Sequence, residues 1–228
     1  MLSVFIPLAS YLVVRTVTDR QRLLPPRLYY DTVFNKVTKG KQVSDTLWHQ
    51  VKDISLINQL GKTVSLSDLN GKILVADFFF THCGSICPTL TRNMSRLQKG
   101  IKLQDERELV DTSFVQFLSF TVDPERDSPA VLKKYADKFA INHDTWWMLT
   151  GNKKDIYDFG IQELKLGVPD NSSVDTNFIH SQYFVLLDRQ RVVRGYYNGL
   201  DSTALNKLAE DIVFLMLEKD PRKKRKLF

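Results

Sequence analysis

The stretch that most constrains this chain is residues 73–80, ILVADFFF. Apolar, β-forming side chains follow one another there without alternation, broken only by Asp77. Such a run predicts a strand buried on both faces. A strand of that kind sits inside a sheet, and the sheet needs helices to cover it. The flanking pattern supplies them. Residues 51–57 and 63–66 read as short strands joined by the turn Gln59-Leu60-Gly61-Lys62, and residues 67–71 as a helical turn or loop. A helix is predicted over 88–99 and a second buried strand over 114–122. Ser128-Pro129 opens a helix to about Phe139, with serine as cap and proline in the first position. A short strand over 146–149 and a helix over 153–164 follow. Residues 182–187 and 192–197 form a hairpin around Asp188-Arg189-Gln190. The closing helix over 201–217 places Leu205, Leu208, Ile212, Leu215 and Met216 on one face. Strands interleaved with helices imply an α/β fold, a central mixed sheet flanked by helices.

At 228 residues with 43% hydrophobic and 25% charged content, the chain suits one globular domain with extra segments. Residues 51–219 are assigned to that domain. Residues 15–50, with Pro25-Pro26 and weak periodicity, read as an extended linker. Residues 1–14, MLSVFIPLASYLVV, carry no charge. As a helix they would span roughly 21 Å, short of the about 20 apolar residues that a bilayer core asks for. Pro7 and the lack of a polar face still favour a membrane anchor, either short in itself or part of a longer one, over a buried helix. Most of the net charge of +6 belongs to the run Arg222, Lys223, Lys224, Arg225 and Lys226 in the tail 220–228. That tail reads as a solvated terminus, with no nucleic-acid partner expected.

The chain has two cysteines, too few for a disulfide-stapled scaffold. Cys83 and Cys87 lie directly after the strongest strand, with Pro88 next. Proline suits the first turn of a helix, so Cys87 is expected at a helix N-terminus, where the partial positive charge favours a thiolate. Gly84 lets the intervening loop turn tightly. The two sulfurs can share a metal ion or close into a disulfide. Thiolates with an imidazole would suit copper. His82 adjoins Cys83, but if the strand continues through it, its side chain points to the opposite face. His49 and His143 read as exposed. His180 stands beside the 182–187 strand, at the end of a long loop.

The segments DFFFTHCGSICPTL, FTVDPERDSPAVLKKY and FIHSQYFVLLDRQRVVRGYYNG resemble, in order, the SCO/SenC family of copper-binding cytochrome oxidase assembly proteins. The resemblance covers about residues 51–217. It implies a thioredoxin-like fold, an N-terminal anchor and a domain outside the cytoplasm. It also implies one copper ion, Cu(I) or Cu(II), held by Cys83, Cys87 and His180, with Asp123 and Asp127 as acidic residues beside the site. Asp123-Pro124 also reads as a turn, and Asp127 or Ser128 as a helix cap. Where many members carry an acidic residue before the histidine, this chain has Ile179.

The expected function is a copper chaperone or assembly factor that serves a copper-receiving subunit of a respiratory oxidase. The alternative is a thiol–disulfide oxidoreductase or redox sensor, with Cys83 attacking and Cys87 resolving. Redox pairs usually have two intervening residues, and here there are three. With no Arg- and Ser-rich transit segment ahead of the apolar run, a bacterial cytoplasmic membrane is the expected location, with the domain facing the periplasm or cell exterior. Cells expressing the full chain should therefore yield it in the membrane fraction; a wholly soluble product with an intact N-terminus would contradict the anchor.

Overall fold

A computed structural model of the chain describes residues 24–38, 41–105, 114–167 and 182–218. The segment 1–14, the loop bearing His180 and the basic tail lie outside the described residues. The first elements are β1 (Tyr30–Thr38) and β2 (Lys41–Trp48), an antiparallel two-stranded ribbon. They fall inside the stretch expected to be an extended linker. The reason is local: Val33, Phe34, Val43 and Thr46 favour strand, but the ribbon has no buried face to leave an alternating signature, and Val33, Phe34, Val43 and Leu47 are all exposed.

The main sheet has the strands β3 (Ser55–Asn58), β4 (Thr63–Ser65), β5 (Ile73–Phe79), β6 (Val115–Thr121), β7 (Trp146–Thr150), β8 (Tyr183–Leu187) and β9 (Val193–Asn198). Their order across the sheet is β4-β3-β7-β6-β5-β8-β9. β5, β6 and β7 run parallel, while β3 and β8 pair antiparallel to their neighbours, so the sheet is mixed as expected. The helices are α1 (Cys87–Asp105), α2 (Pro129–Lys138), α3 (Lys153–Asp158) and α4 (Ser202–Leu217). The helix expected over 153–164 changes character part-way: α3 continues as a wider π-helical turn, Phe159–Glu163. Gly160 lies inside that turn, where a Cβ would stand 2.9 Å from the Phe78 ring.

Every residue of β5 and β6 is buried, as the apolar run requires. Ile73, Val75 and Phe79 pack beneath Leu90 and Met94 of α1, Leu132 of α2 and Ile212 of α4. Leu74, Ala76 and Phe78 face the opposite layer, with Ile156 and Phe159. There Phe120 lies between Phe78 and Phe159, with ring centroids 5.2 Å away on each side. Ser128 is the N-cap of α2, but its side chain makes no capping bond; Pro129 and the extended Ser128 backbone start the helix.

Asp77 is the polar exception in β5. It is 1% exposed, on the α1 side of the sheet, and faces Ser119 of the neighbouring strand in register. Its Oδ1 has no partner among the described residues. Burial raises its pKa from 3.8 to about 7, against a smaller lowering by Ser119. The folded state therefore keeps a proton that the unfolded chain has released. The contribution of Asp77 to stability is greatest below about pH 4 and falls as the pH rises toward about 7, at roughly 1.4 kcal/mol per pH unit at the steepest. Denaturant unfolding of Asp77→Asn should show a flatter profile across that interval and a gain of a few kcal/mol at neutral pH. An unchanged profile would assign the pH dependence to other groups.

Candidate metal centre

The two cysteines follow β5 at the C-terminal edge of the parallel strands, Cys83 on the loop and Cys87 at the start of α1. Beyond Phe79 the pairing continues for one bond, Val122 N–H to the Phe79 carbonyl at 2.8 Å. The chain then turns, with the Cys83 N–H donating to the Phe80 carbonyl at 3.3 Å. β5 ends at Phe79, so strand alternation does not reach His82, and the expectation that its side chain faces away from the site loses its basis.

Asp127 holds this turn. It is 0% exposed. Its carboxylate accepts the Thr81 N–H at 3.1 Å, the Thr81 hydroxyl and the Thr121 hydroxyl. Thr121 in turn accepts the Asp123 N–H at 3.1 Å. Asp127 therefore ties the cysteine loop to the end of β6; it is not a helix cap. Asp123 is different: it is partly exposed and its carboxylate turns to Arg126 at 3.6 Å. The two threonines were missed as site residues. Their visible signal is that Thr81 follows the β5 run and Thr121 ends β6, on the parallel neighbour paired in register with β5.

Cys87 is the first residue of α1 and is 4% exposed, packed with Leu90, Met94, Phe79 and Tyr135. Cys83 is half-buried, and its Sγ lies 3.5 Å from the Ser85 hydroxyl. Both thiols are free, and each acts on the other's acidity. Their acidities diverge. Burial works against the Cys83 thiolate but is outweighed by bonds from the Cys87 thiol, the Ser85 hydroxyl and the backbone of both residues, which bring it down to about 7. Burial pushes Cys87 up to about 12, reinforced by its bond to Cys83 and by the nearby Cys83 and Asp77 charges. The expected helix-end activation of Cys87 is thus reversed, because desolvation in the apolar cluster exceeds the field of a helix end.

The histidines sort clearly. His49, expected exposed, has both ring nitrogens engaged: Nδ1 with Asp31 at 2.8 Å and Nε2 with Glu163 at 3.2 Å. His143 pairs Nδ1 with the Gln59 amide at 3.0 Å and Nε2 with Asp137 at 3.2 Å. Neither is placed with the thiols, and His180 lies outside the described residues. Among the described residues no group of three or more His, Cys, Asp or Glu side chains converges on a metal-sized site. What is in place is a pair of free, soft sulfur donors four residues apart, one close to ionisation. That donor set fits Cu(I), which accepts low coordination by thiolates.

The acidity difference has a direct readout. The thiolate is the reactive form, so alkylation by iodoacetamide at pH 8 should label Cys83 more than about tenfold faster than Cys87. The Cys83 rate should rise with pH through a midpoint near 7, and Ser85→Ala should move that midpoint upward. Equal labelling of the two thiols would contradict the assignment.

The comparisons with known proteins agree with this architecture. The family description SCO1/SenC matches residues 47–216. The SCO1 protein homolog of Bacillus subtilis (strain 168) is 36% identical over 174 residues, which cover 76% of this chain and 86% of that protein. The crystal structure of a SCO1/SenC family lipoprotein from Bacillus anthracis str. Ames superposes with a TM-score of 0.61 at 35% identity, covering 74% of this chain and 95% of that one. BsSco, a member of the Sco family of cytochrome c oxidase assembly proteins in which a disulfide switch was identified, gives 0.62 at 34% identity, covering 77% and 98%. ScoI of Bradyrhizobium japonicum, solved with copper bound, shares the fold at 24% identity with a TM-score of 0.55, over 72% of this chain and 98% of its own. By sequence and by fold alike, this chain belongs to the SCO1/SenC family.

Proposed function

We propose that the chain is a copper-binding assembly factor that delivers copper to, or matures, the copper centre of a respiratory cytochrome oxidase. The observation that carries this reading is the pair of free thiols, half-buried Cys83 and buried Cys87, at the two ends of a turn anchored by a buried carboxylate. Copper is the cargo, with His180 proposed as the third ligand. Asp127 acts through the loop, by fixing Thr81. Asp123 is assigned to the neighbouring turn. The apolar segment 1–14 is read as the tether to a bacterial cytoplasmic membrane, with the domain on the outer side; the lipoprotein character of the Bacillus anthracis relative supports a membrane location.

The two sulfurs divide the work of binding. Cys83, near ionisation at neutral pH, offers a ready thiolate at the partly exposed end. Cys87 holds its proton tightly, so binding there must displace it. Metal uptake is then coupled to proton release. The retained proton also keeps the buried sulfur from carrying a bare charge in its apolar cluster when no metal is held.

One observation favours a second reading. A thiol held near 7 beside a resolving thiol of high pKa is the arrangement that dithiol exchange uses. On that reading Cys83 attacks a partner disulfide and Cys87 closes the intramolecular bond. The disulfide switch identified in BsSco supports it.

Reduced full chain in detergent should take up one Cu(I) per chain in competition with a chromophoric chelator, and Cys83→Ser or Cys87→Ser should abolish stoichiometric uptake. Affinity should fall as pH is lowered, about tenfold per unit above pH 7, where one proton is displaced, and more steeply below it as Cys83 also gains a proton. Binding that survives loss of both cysteines would refute the site. In cells, the chaperone reading expects His180→Ala to damage oxidase activity as badly as Cys83→Ser, with partial rescue by added copper. Full activity in His180→Ala beside loss in the cysteine variants would favour the reductase.

A further inference from the structure

Of the three described histidines, His49 and His143 have both ring nitrogens engaged. His82 differs. Its Nδ1 lies 3.1 Å from the Thr81 hydroxyl oxygen and 3.8 Å from the Asp127 carboxylate. The Thr81 hydroxyl has a single hydrogen, and it is donated to Asp127. Toward His82 that oxygen can only accept, so the ring hydrogen sits on Nδ1. Nε2 then carries the lone pair, and it has no partner among the described residues.

This is the arrangement in which imidazoles bind metals: one nitrogen donates into a carboxylate-linked chain, which fixes the tautomer, and the other faces the ion. The residue is next to Cys83, and its side chain is 58% exposed. Cys83 is half-buried and Cys87 is 4% exposed. The three donors thus form a graded series from solvent to core.

We propose that His82 is the receiving ligand of the copper site: its Nε2 takes Cu(I) from an incoming carrier and passes it to Cys83 and then Cys87. This rests on the copper-binding reading above. The exchange needs no electron. The Nε2–Cu bond forms as the carrier's bond breaks, and the metal stays Cu(I). As sulfur replaces nitrogen, the thiol protons of Cys83 and Cys87 leave to water and the imidazole regains its free lone pair. Asp127 and Thr81 are positioning residues for this step, since they set which nitrogen is open.

The test uses the full chain, reduced, ¹⁵N-labelled and held in detergent. Long-range ¹H–¹⁵N spectra should show metal-free His82 as the Nδ1–H tautomer. Substoichiometric Cu(I) should move its Nε2 signal away from the bare lone-pair position. Stopped-flow transfer between the chain and the Cu(I)–bicinchoninate complex gives a second readout. His82→Gln should slow uptake and release together, each about tenfold, and Thr81→Val should slow them in the same direction while shifting the His82 tautomer mixture. Unaltered transfer in His82→Gln, with an unmoved Nε2 signal in a parent chain that still binds one Cu(I) through its thiols, would overturn the proposal alone. A parent chain that takes no Cu(I) from the chelator would overturn the copper-binding reading and this proposal with it.

Discussion

One carboxylate, that of Asp127, determines where the thiols stand. The loop from Thr81 to Ile86 is otherwise thinly held: Gly84 and Ser85 are exposed, and a Cβ at Gly84 would meet nothing within 4 Å. Asp127 gathers the Thr81 N–H and the hydroxyls of Thr81 and Thr121 in a place with no solvent exposure. Bonds to a charged acceptor are worth roughly 1.5–3 kcal/mol each, and losing the acceptor would strand its donors in the interior. The same carboxylate closes the β6 end, fixes the turn before Cys83 and sets the orientation of His82. The rigid parts of the sheet and the chemically active loop meet at this residue.

The second organising effect is the unequal wetting of two neighbouring sulfurs. Cys87 begins a helix, which by itself would favour the thiolate, but it is also inside the cluster beneath α1. Cys83 is one turn earlier, where water, Ser85 and the Cys87 thiol can all stabilise negative charge. Identical side chains four residues apart thereby become a thiol that gives up its proton readily and one that keeps it. Asp77 adds to this asymmetry from below, since any charge it carried would further discourage ionisation of Cys87.

Much of the architecture was legible in the chain. The run 73–80 announced a doubly covered strand, and Ser128-Pro129 marked the start of α2 because both features are local. Cys83 and Cys87 declared a site through their place after that strand. What escaped depended on partners distant in sequence. The β1–β2 ribbon buries no face and so left no periodic trace. The acidity of Cys87 is decided by burial in a cluster that includes Tyr135 of α2, which no spacing rule brings to it. The Asp127 carboxylate meets Thr81 across 46 residues, so a helix cap was the nearest reading available. His49 was misjudged for the same reason: its partner Glu163 lies 114 residues away.

The segment ahead of the ribbon has a consequence for how the molecule behaves among its own kind. A seven-stranded sheet ends in two border strands, and unpaired borders invite the addition of foreign strands. On the β9 border, the Leu28 N–H occupies the Val193 carbonyl at 2.8 Å, and Arg194 reaches the Pro25 carbonyl at 2.9 Å. The chain's own early residues thus cover the place where a neighbour would dock. The other border, β4, is three residues long, too short to template much pairing. The sheet is guarded against lateral growth at one end by its own polypeptide and at the other by brevity, so many copies can crowd together without their sheets joining.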